Sequence, residues 1–439
     1  MMNKLSAFVM GIVCLFLFSQ TSIAEQPETT VLNEAVFSCQ QYLANDGFEN
    51  IQIKIGNDNS IWIYYENRRY RNELTALGIV LRYAAETFLE TEKYIFIPRY
   101  RSVDLCFITV IPKLYRQFLN NQITAYDFID CLEFSHSSPG QPLTGYETAS
   151  TQSSLFNFDF IMQPGFKTQF SRPGDPVQMQ FNFLTDFTTM IAPGTQLYGQ
   201  WIFPIYNEFQ TREGESRLGQ LYVNQLVRLP SAVYLGLSAG LFEYSYVGFS
   251  SQVQRFFLKD QFSFSVRFDY FSNHFSRTGL QAFSPLENQT SYLLQAQYFF
   301  KQVNFRASLT WGRYVLGDQG WRVDFSRTFH ELELGFMGVW NESLGFLTGL
   351  NVKLPFPIAR YASPSRIRIR GPHHVRWKYR YLPCFDGMVL DTGMEYTEAL
   401  RQFSLSFIRA NAKQLKTALR YVKLNSRTNE NHFASRENQ

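Results

Sequence analysis

Residues 303–355 read VNFRASLTWGRYVLGDQGWRVDFSRTFHELELGFMGVWNESLGFLTGLNVKLP, and within this stretch apolar residues alternate with polar ones. A period of two is typical of a strand with one apolar face and one polar face. Short polar turns at residues 317–320 and 341–343 divide the stretch, and a further strand begins at Leu332, so the stretch predicts four strands. Such meandering strands occur both in soluble sandwiches and in membrane barrels, so other parts of the chain must separate these two classes.

The composition favours the membrane barrel. Of the 439 residues 17% are aromatic and only 18% are charged, whereas soluble domains average about 25% charged residues. The alternation recurs from residue 153 to residue 382, with Phe262, Phe264, Val266, Phe268 and Tyr270 as its most regular example. We therefore predict a mainly β chain in which residues 153–382 form an antiparallel transmembrane β-barrel of roughly 12 strands. The net charge of +4 is too small to predict a nucleic-acid partner.

The first residues predict export from the cytoplasm. Lys4 precedes a largely apolar run at residues 5–18, and small residues lead to Ala24. This pattern predicts a signal peptide at residues 1–24, since the run is shorter than the ~20 residues of a membrane-spanning helix. Together with the barrel, it predicts a protein of the Gram-negative outer membrane.

Residues 25–152 show a different pattern, which predicts a small periplasmic α+β domain and a linker. Alternation around Ile53 and Ile63 predicts a hairpin, and helical spacing after Asn72 predicts a helix with Asn72 as its N-cap. Four cysteines remain in the exported chain, and they allow three disulfide pairings or act as small buried apolar residues. They are Cys39, Cys106, Cys131 and Cys384.

Cations on the predicted polar faces are the candidate binding residues. Inside the barrel they would attract an anionic polysaccharide; at its rim they would meet lipid headgroups instead. The candidates in the barrel are Arg267, Arg306, Arg322, Arg366, Arg368, Arg370, Arg376, Lys378 and Arg380. A second group at a strand-to-helix junction either binds an anion or lies in a solvated turn, and comprises Arg68, Arg69 and Arg71.

The sequence contains no catalytic motif. Its six histidines are scattered without metal-ligand spacing, and neither a nucleophile elbow nor a Gly-rich phosphate loop is present. We therefore expect a protein that is not an enzyme and that needs no metal or cofactor.

Several short segments resemble the YjbH-like, GfcD-related family of outer-membrane exopolysaccharide biosynthesis proteins. These segments are residues 47–50, 65–71, 239–243, 312–320 and 326–329. The resemblance implies a barrel with periplasmic modules that takes part in the biosynthesis, export or surface attachment of an exopolysaccharide or capsule. Its implied partners are outer-membrane lipid, an anionic polysaccharide and other envelope proteins of exopolysaccharide secretion, and it supplies no catalytic residue. A general porin for small solutes and a plugged structural barrel are the alternative functions.

The carboxyl-terminal residues leave two alternatives. The chain is shorter than typical family members, and residues 403–422 echo the strand and helix at residues 61–80. Residues 383–424 are thus either a truncated second α/β module or the last barrel strand. The polar residues 425–439 are predicted to form a disordered tail.

Overall fold

The structure is a computed structural model of the whole chain. It describes residues 30–138, 147–170, 177–208, 214–243, 246–257, 261–272, 289–300, 302–303, 305–329, 331–341, 345–362, 365–380, 387–394, 396–403, 407–408 and 411. The predicted signal peptide, Cys384, the second half of the carboxyl-terminal repeat and the predicted tail lie outside the described residues.

The amino-terminal unit is a six-stranded sheet packed against helices. The strands lie in the order β1-β2-β3-β5-β6 with β4 beside β3, and β2 and β3 run parallel. Its elements are α1 (Thr30–Asp46), β1 (Phe48–Ile55), β2 (Ser60–Asn67), α2 (Glu73–Thr87), β3 (Lys93–Tyr100), β4 (Val103–Asp104), β5 (Phe107–Val110), α3 (Pro112–Leu119), α4 (Ala125–Asp130) and β6 (Glu133–Ser135). The predicted hairpin is β1–β2, and the side chain of Asn72 caps α2 by accepting from the backbone N–H of Leu74 at 2.8 Å.

The core of this unit also takes in residues from the far end of the chain. Leu74, Leu77 and Leu81 lie on the buried face of α2 because their spacing follows the helical period. Leu400 and Phe403 are each 1% exposed and belong to the same apolar cluster. Residues after the large sheet therefore return to the amino-terminal unit.

The described cysteines exclude the alternative in which all four cysteines are paired in disulfides. Cys39 is a buried free thiol, whose pKa is raised to about 12 by burial, and Cys131 is an exposed free thiol. Every complete pairing of four cysteines requires a bridge to Cys39, so none of the three arrangements is formed. Cys39 fits the alternative prediction of a small buried apolar residue.

The rest of the chain is dominated by a sheet of 14 strands, which confirms the mainly β class. Its order is β19-β7-β8-β9-β10-β11-β12-β13-β14-β15-β16-β17-β18-β20, and β7 to β18 form an antiparallel meander. The strands are β7 (Phe158–Phe170), β8 (Val177–Ala192), β9 (Thr195–Asn207), β10 (Arg217–Leu229), β11 (Val233–Leu241), β12 (Val247–Phe257), β13 (Phe262–Ser272), β14 (Gln289–Phe300), β15 (Phe305–Arg313), β16 (Gln319–Phe329), β17 (Leu332–Asn341), β18 (Gly345–Pro355), β19 (Ile367–Arg370) and β20 (His374–Arg380). The stretch at residues 303–355 supplies β15 to β18, as its alternation predicts.

The two faces of the large sheet differ in chemistry. In β13, Val266 and Phe268 are each 41% exposed, while Ser265 and Asp269 on the opposite face are buried. The neighbouring strands repeat this arrangement, with Val253 and Leu294 exposed beside Val266. The apolar face of the sheet is thus the uncovered one, and the polar face is the covered one.

The first and last strands of the meander share a neighbour. The consecutive strands β19 and β20 are separated only by residues 371–373, yet β19 pairs in parallel with β7 and β20 pairs antiparallel with β18. Ile367 lies opposite Phe158, an offset of 209 residues. Trp377 of β20 donates from Nε1 to Oγ1 of Thr168 in β7 at 3.2 Å, with the same offset of 209. The broken strand formed by β19 and β20 therefore contacts both ends of the meander.

After the large sheet, the short helix α5 (Tyr396–Gln402) follows an extended segment at residues 387–394. In the described part of the chain, no helix is long and apolar enough to span a bilayer.

Candidate functional site: the polar face and its junction with the amino-terminal unit

Asp159, at the start of β7, forms ion pairs with arginines from two distant stretches of sequence. Its Oδ2 atom lies 2.7 Å from Nη2 of Arg68, 2.5 Å from Nη2 of Arg368 and 3.4 Å from Nε of Arg370. Arg368 also donates to the backbone carbonyl of Arg68, 300 residues away. The sequence assigned Arg68 to the junction and the other two arginines to the barrel interior, and the structure brings all three together where the two units meet.

Glu49 adds a second carboxylate to this cluster. It is 2% exposed, and its Oε2 atom accepts from Nη1 of Arg68 at 3.1 Å, while Nδ2 of Asn157 donates to its Oε1 atom at 3.2 Å. Burial raises the pKa of Glu49 to about 7, an effect that Arg68 partly offsets. Burial acts against the charge of Arg68 as well, but Asp159 and Glu49 outweigh it and raise the pKa of that guanidinium.

A buried polar network beside the cluster joins β2, the β3–β4 turn and the segment before β7. Glu66 accepts from the backbone N–H groups of Arg101 at 3.0 Å and Ser102 at 3.1 Å. Asn50 donates from Nδ2 to Glu66 Oε2 at 2.5 Å and to Ser154 Oγ at 2.6 Å. Because these buried groups hydrogen-bond to one another, the network fixes how the segment leading into the sheet leaves the amino-terminal unit.

The remaining junction cations also bind groups of the chain itself. Arg69 donates from Nη1 to the carbonyl of Asp46 at 2.8 Å. Arg71 reaches the end of the large sheet, where it pairs with Glu331 and donates to the carbonyl of Phe356. Arg68 and Arg71 therefore attach the amino-terminal unit to the sheet, whereas Arg69 binds within that unit.

Arg267 and Arg322 lie on the polar face. Nε of Arg267 is 2.8 Å from Oδ1 of Asp269, and Nη2 of Arg322 is 2.7 Å from Oδ1 of Asp324. Each arginine has a second partner outside its own strand. Arg267 donates to the carbonyl of Leu390 at 2.9 Å, and Arg322 donates to the carbonyl of Gly387 at 3.3 Å.

The other predicted cations of the barrel are more dispersed. Arg366 and Arg376 are exposed, whereas Arg306 is half-buried. The backbones of Lys378 and Arg380 lie in β20, and their side chains are outside the described residues.

Near the amino-terminal unit, α5 is fixed to the sheet by ion pairs. Glu398 lies 2.8 Å from Lys353, and Arg401 lies 2.8 Å from Glu333. Burial would raise the pKa of Glu398, but Lys353 and Arg306 hold it at about 2.

The extended segment at residues 387–394, hereafter the strap, lies against the polar face. Met388, Leu390 and Thr392 are 4%, 1% and 1% exposed. Besides its bonds to the two arginines, the strap accepts a hydrogen bond from Ser238 at the carbonyl of Thr392, whose hydroxyl lies 3.1 Å from that of Ser250. The strap therefore crosses several strands of the sheet.

Sequence reasoning missed the anionic members of this site and the strap. Asp159 was detectable in part, because it occupies a polar position in the alternation of the first strand. Glu49 lies in the family-like segment at residues 47–50 but was not predicted as a site residue, and Glu331 and the strap gave no comparable signal. Among the described residues, no group of three or more His, Cys, Asp or Glu side chains could hold a metal ion.

Comparison with known proteins identifies one family. The family model YjbH, described as exopolysaccharide biosynthesis protein YbjH, matches residues 19–341, about three quarters of the chain. The match includes the amino-terminal unit and the large sheet as far as β17. No curated protein matches the chain.

Proposed function

Since the chain belongs to the YjbH family of exopolysaccharide biosynthesis proteins, we propose that it acts in the outer membrane as a β-barrel for export or surface attachment of an exopolysaccharide. The observation that carries this proposal is the arrangement of the large sheet, whose apolar face is exposed and whose polar face is buried, the reverse of a protein in water. A contiguous apolar surface of this extent is unusual for a protein surrounded by water and is typical of a barrel in lipid.

Closure of the sheet is supported by the broken strand. Its first half, β19, pairs with β7, and its second half, β20, pairs with β18. Trp377 in β20 also contacts Thr168 in β7, and these two residues are separated by the same 209 positions as the paired residues of β19 and β7. Twelve meandering strands plus this one would make a cylinder with a parallel seam. Closing a sheet pairs the backbone N–H and C=O groups of its edge strands, which would find no water to bind inside a bilayer.

The connections support an orientation. The turns at 193–194 and 230–232, and Glu331 between β16 and β17, lie on the side of the amino-terminal unit, where Gly194 donates to the carbonyl of Arg101 at 2.7 Å. At the opposite ends of the strands, consecutive strands are mostly separated by more residues, with the widest gap between Ser272 and Gln289. Outer-membrane barrels have short periplasmic turns and long extracellular loops, which favours a periplasmic amino-terminal unit.

The proposed ligand is an anionic polysaccharide, and the proposed role is not catalytic. Among the cations from Arg366 to Arg380 whose side chains the structure describes, its support is Arg366 and Arg376, which are exposed. Other envelope proteins of exopolysaccharide secretion are the expected partners. A plugged structural barrel is the second candidate, because the strap covers part of the polar face.

Secretion and membrane insertion test the proposal together. Purified protein should migrate differently on SDS gels before and after boiling, as a closed barrel does. A strain without the gene should secrete less polysaccharide. Replacement of Arg376, Lys378 and Arg380 by Gln should lower secretion while leaving the gel shift intact. The control is Arg82→Gln, which removes a cation whose ion pair with Glu86 lies within α2. Normal secretion in the triple variant would contradict the role of these cations. A protein that remains in aqueous solution without detergent would contradict the barrel.

A further inference from the structure

The strap runs across the sheet instead of pairing with one strand. From Gly387 to Thr392 its partners move from Arg322 on β16 to Arg267 on β13, and then to Ser250 on β12 and Ser238 on β11. In a closed barrel this path would cross the interior. The strap would then obstruct the lumen.

Most of these contacts are made to the backbone of the strap. The carbonyl groups of Gly387, Leu390 and Thr392 accept from Arg322, Arg267 and Ser238 in turn. The face thus presents fixed donors to a row of oxygen acceptors on an extended chain. Hydroxyl, ring and carboxylate oxygens of a polysaccharide offer the same acceptors, and a carboxylate binds guanidinium more strongly than a carbonyl does.

Aromatic rings line the same path. Tyr198 and Tyr222 stack with their centroids 4.8 Å apart, and Tyr222 stacks on Phe242 at 5.4 Å. Met388 and Leu390 of the strap pack in this cluster. Rings beside fixed donors suit a pyranose, which has apolar C–H faces and polar edges.

We propose that the strap occupies, within the same molecule, the groove that binds the polysaccharide chain, and that it closes the lumen until it is displaced. This inference rests on the proposed function, because it requires a closed barrel and a polysaccharide ligand. Displacement would exchange the strap carbonyls at Arg267 and Arg322 for oxygens of the polymer. The ion pairs of α5 would keep the strap attached to the sheet.

A reversible crosslink tests the closure. The hydroxyls of Ser250 and Thr392 are 3.1 Å apart, so cysteines at both positions are placed to form a disulfide in the full-length protein. The matched control pairs Thr392→Cys with Ser251→Cys, whose side chain belongs to the opposite face and should not crosslink. In planar bilayers the oxidised S250C/T392C protein should be closed, and reduction should increase its openings.

A second variant loosens the strap without removing it. Gly393 has a φ of +76°, and a Cβ atom added there would lie 2.5 Å from the ring of Tyr222. Gly393→Val should therefore displace the strap and increase conductance while α5 remains in place. Oligogalacturonate should then block the open channel at lower concentrations than neutral maltodextrin of equal length.

The outcomes separate the two proposals. If no variant inserts into bilayers or shows the heat-dependent gel shift, the barrel itself is refuted. If the barrel forms and the crosslink does not, or if conductance is equal in the oxidised, reduced and Gly393→Val proteins, the strap does not close the lumen. Equal block by the two oligosaccharides would refute a groove selective for anionic polysaccharide.

Discussion

At the scale of single residues, Asp159 is the acceptor on which the junction depends. It lies within 3.4 Å of three guanidinium groups, of which that of Arg368 belongs to a side chain only 3% exposed. Asp159→Asn would leave these cations close together with much less compensating charge, so we expect a loss of about 3–5 kcal/mol in the free energy of unfolding. Chemical denaturation in detergent micelles measures this. Asp58→Asn removes an exposed partner of Lys93 and should cost less than about 1 kcal/mol; an equally small effect at Asp159 would contradict the prediction.

Glu49 gives the same junction a dependence on pH. Its pKa in the folded protein is about 7 against an ordinary value of 4.5, so between these two values the folded state binds more protons than the unfolded state. The free energy of unfolding should therefore fall as the pH rises from 4.5 to 7, by roughly 3 kcal/mol at most. Glu49→Gln should remove this part of the dependence, measured by denaturation at successive pH values. An unchanged pH profile in Glu49→Gln would show that Glu49 does not titrate in this range.

At the scale of elements, Gly312 at the end of β15 is required by the close approach of two strands. Its φ is +155°, and an added Cβ would lie 1.9 Å from the carbonyl oxygen of Tyr292 on β14. Gly312→Ala should disrupt the pairing of β14 with β15 and lower the yield of folded, heat-modifiable protein. Gly214→Ala is the control, since its Cβ would meet only a side-chain atom at 3.4 Å. Equal yields of the two variants would contradict the prediction.

The elements also show what the sequence could and could not reveal. Alternation predicted β15 to β18 because a strand's two faces depend only on nearby residues. The position of Arg368 was not predictable in this way, because its partner Asp159 lies 209 residues earlier and the pairing depends on the parallel contact between β19 and β7. The contribution of Phe403 to the amino-terminal core likewise depends on a chain return that leaves no periodic signal. Family resemblance identified the chain correctly, whereas closure of the sheet remains a proposal.

At the scale of the whole molecule, the apolar face should behave as a surface in lipid. Val253, Val266 and Leu294 form a row across three adjacent strands and are 40%, 41% and 39% exposed. Val266→Arg should cost about 2–4 kcal/mol if this row lies near the bilayer midplane, since the cation must leave water. In a water-soluble sheet the same change at an exposed position would cost within about 0.5 kcal/mol. Urea unfolding in phospholipid vesicles distinguishes the two, with Val266→Ala as the control for lost side-chain volume. A Val266→Arg protein as stable as Val266→Ala would contradict the placement of this face in lipid.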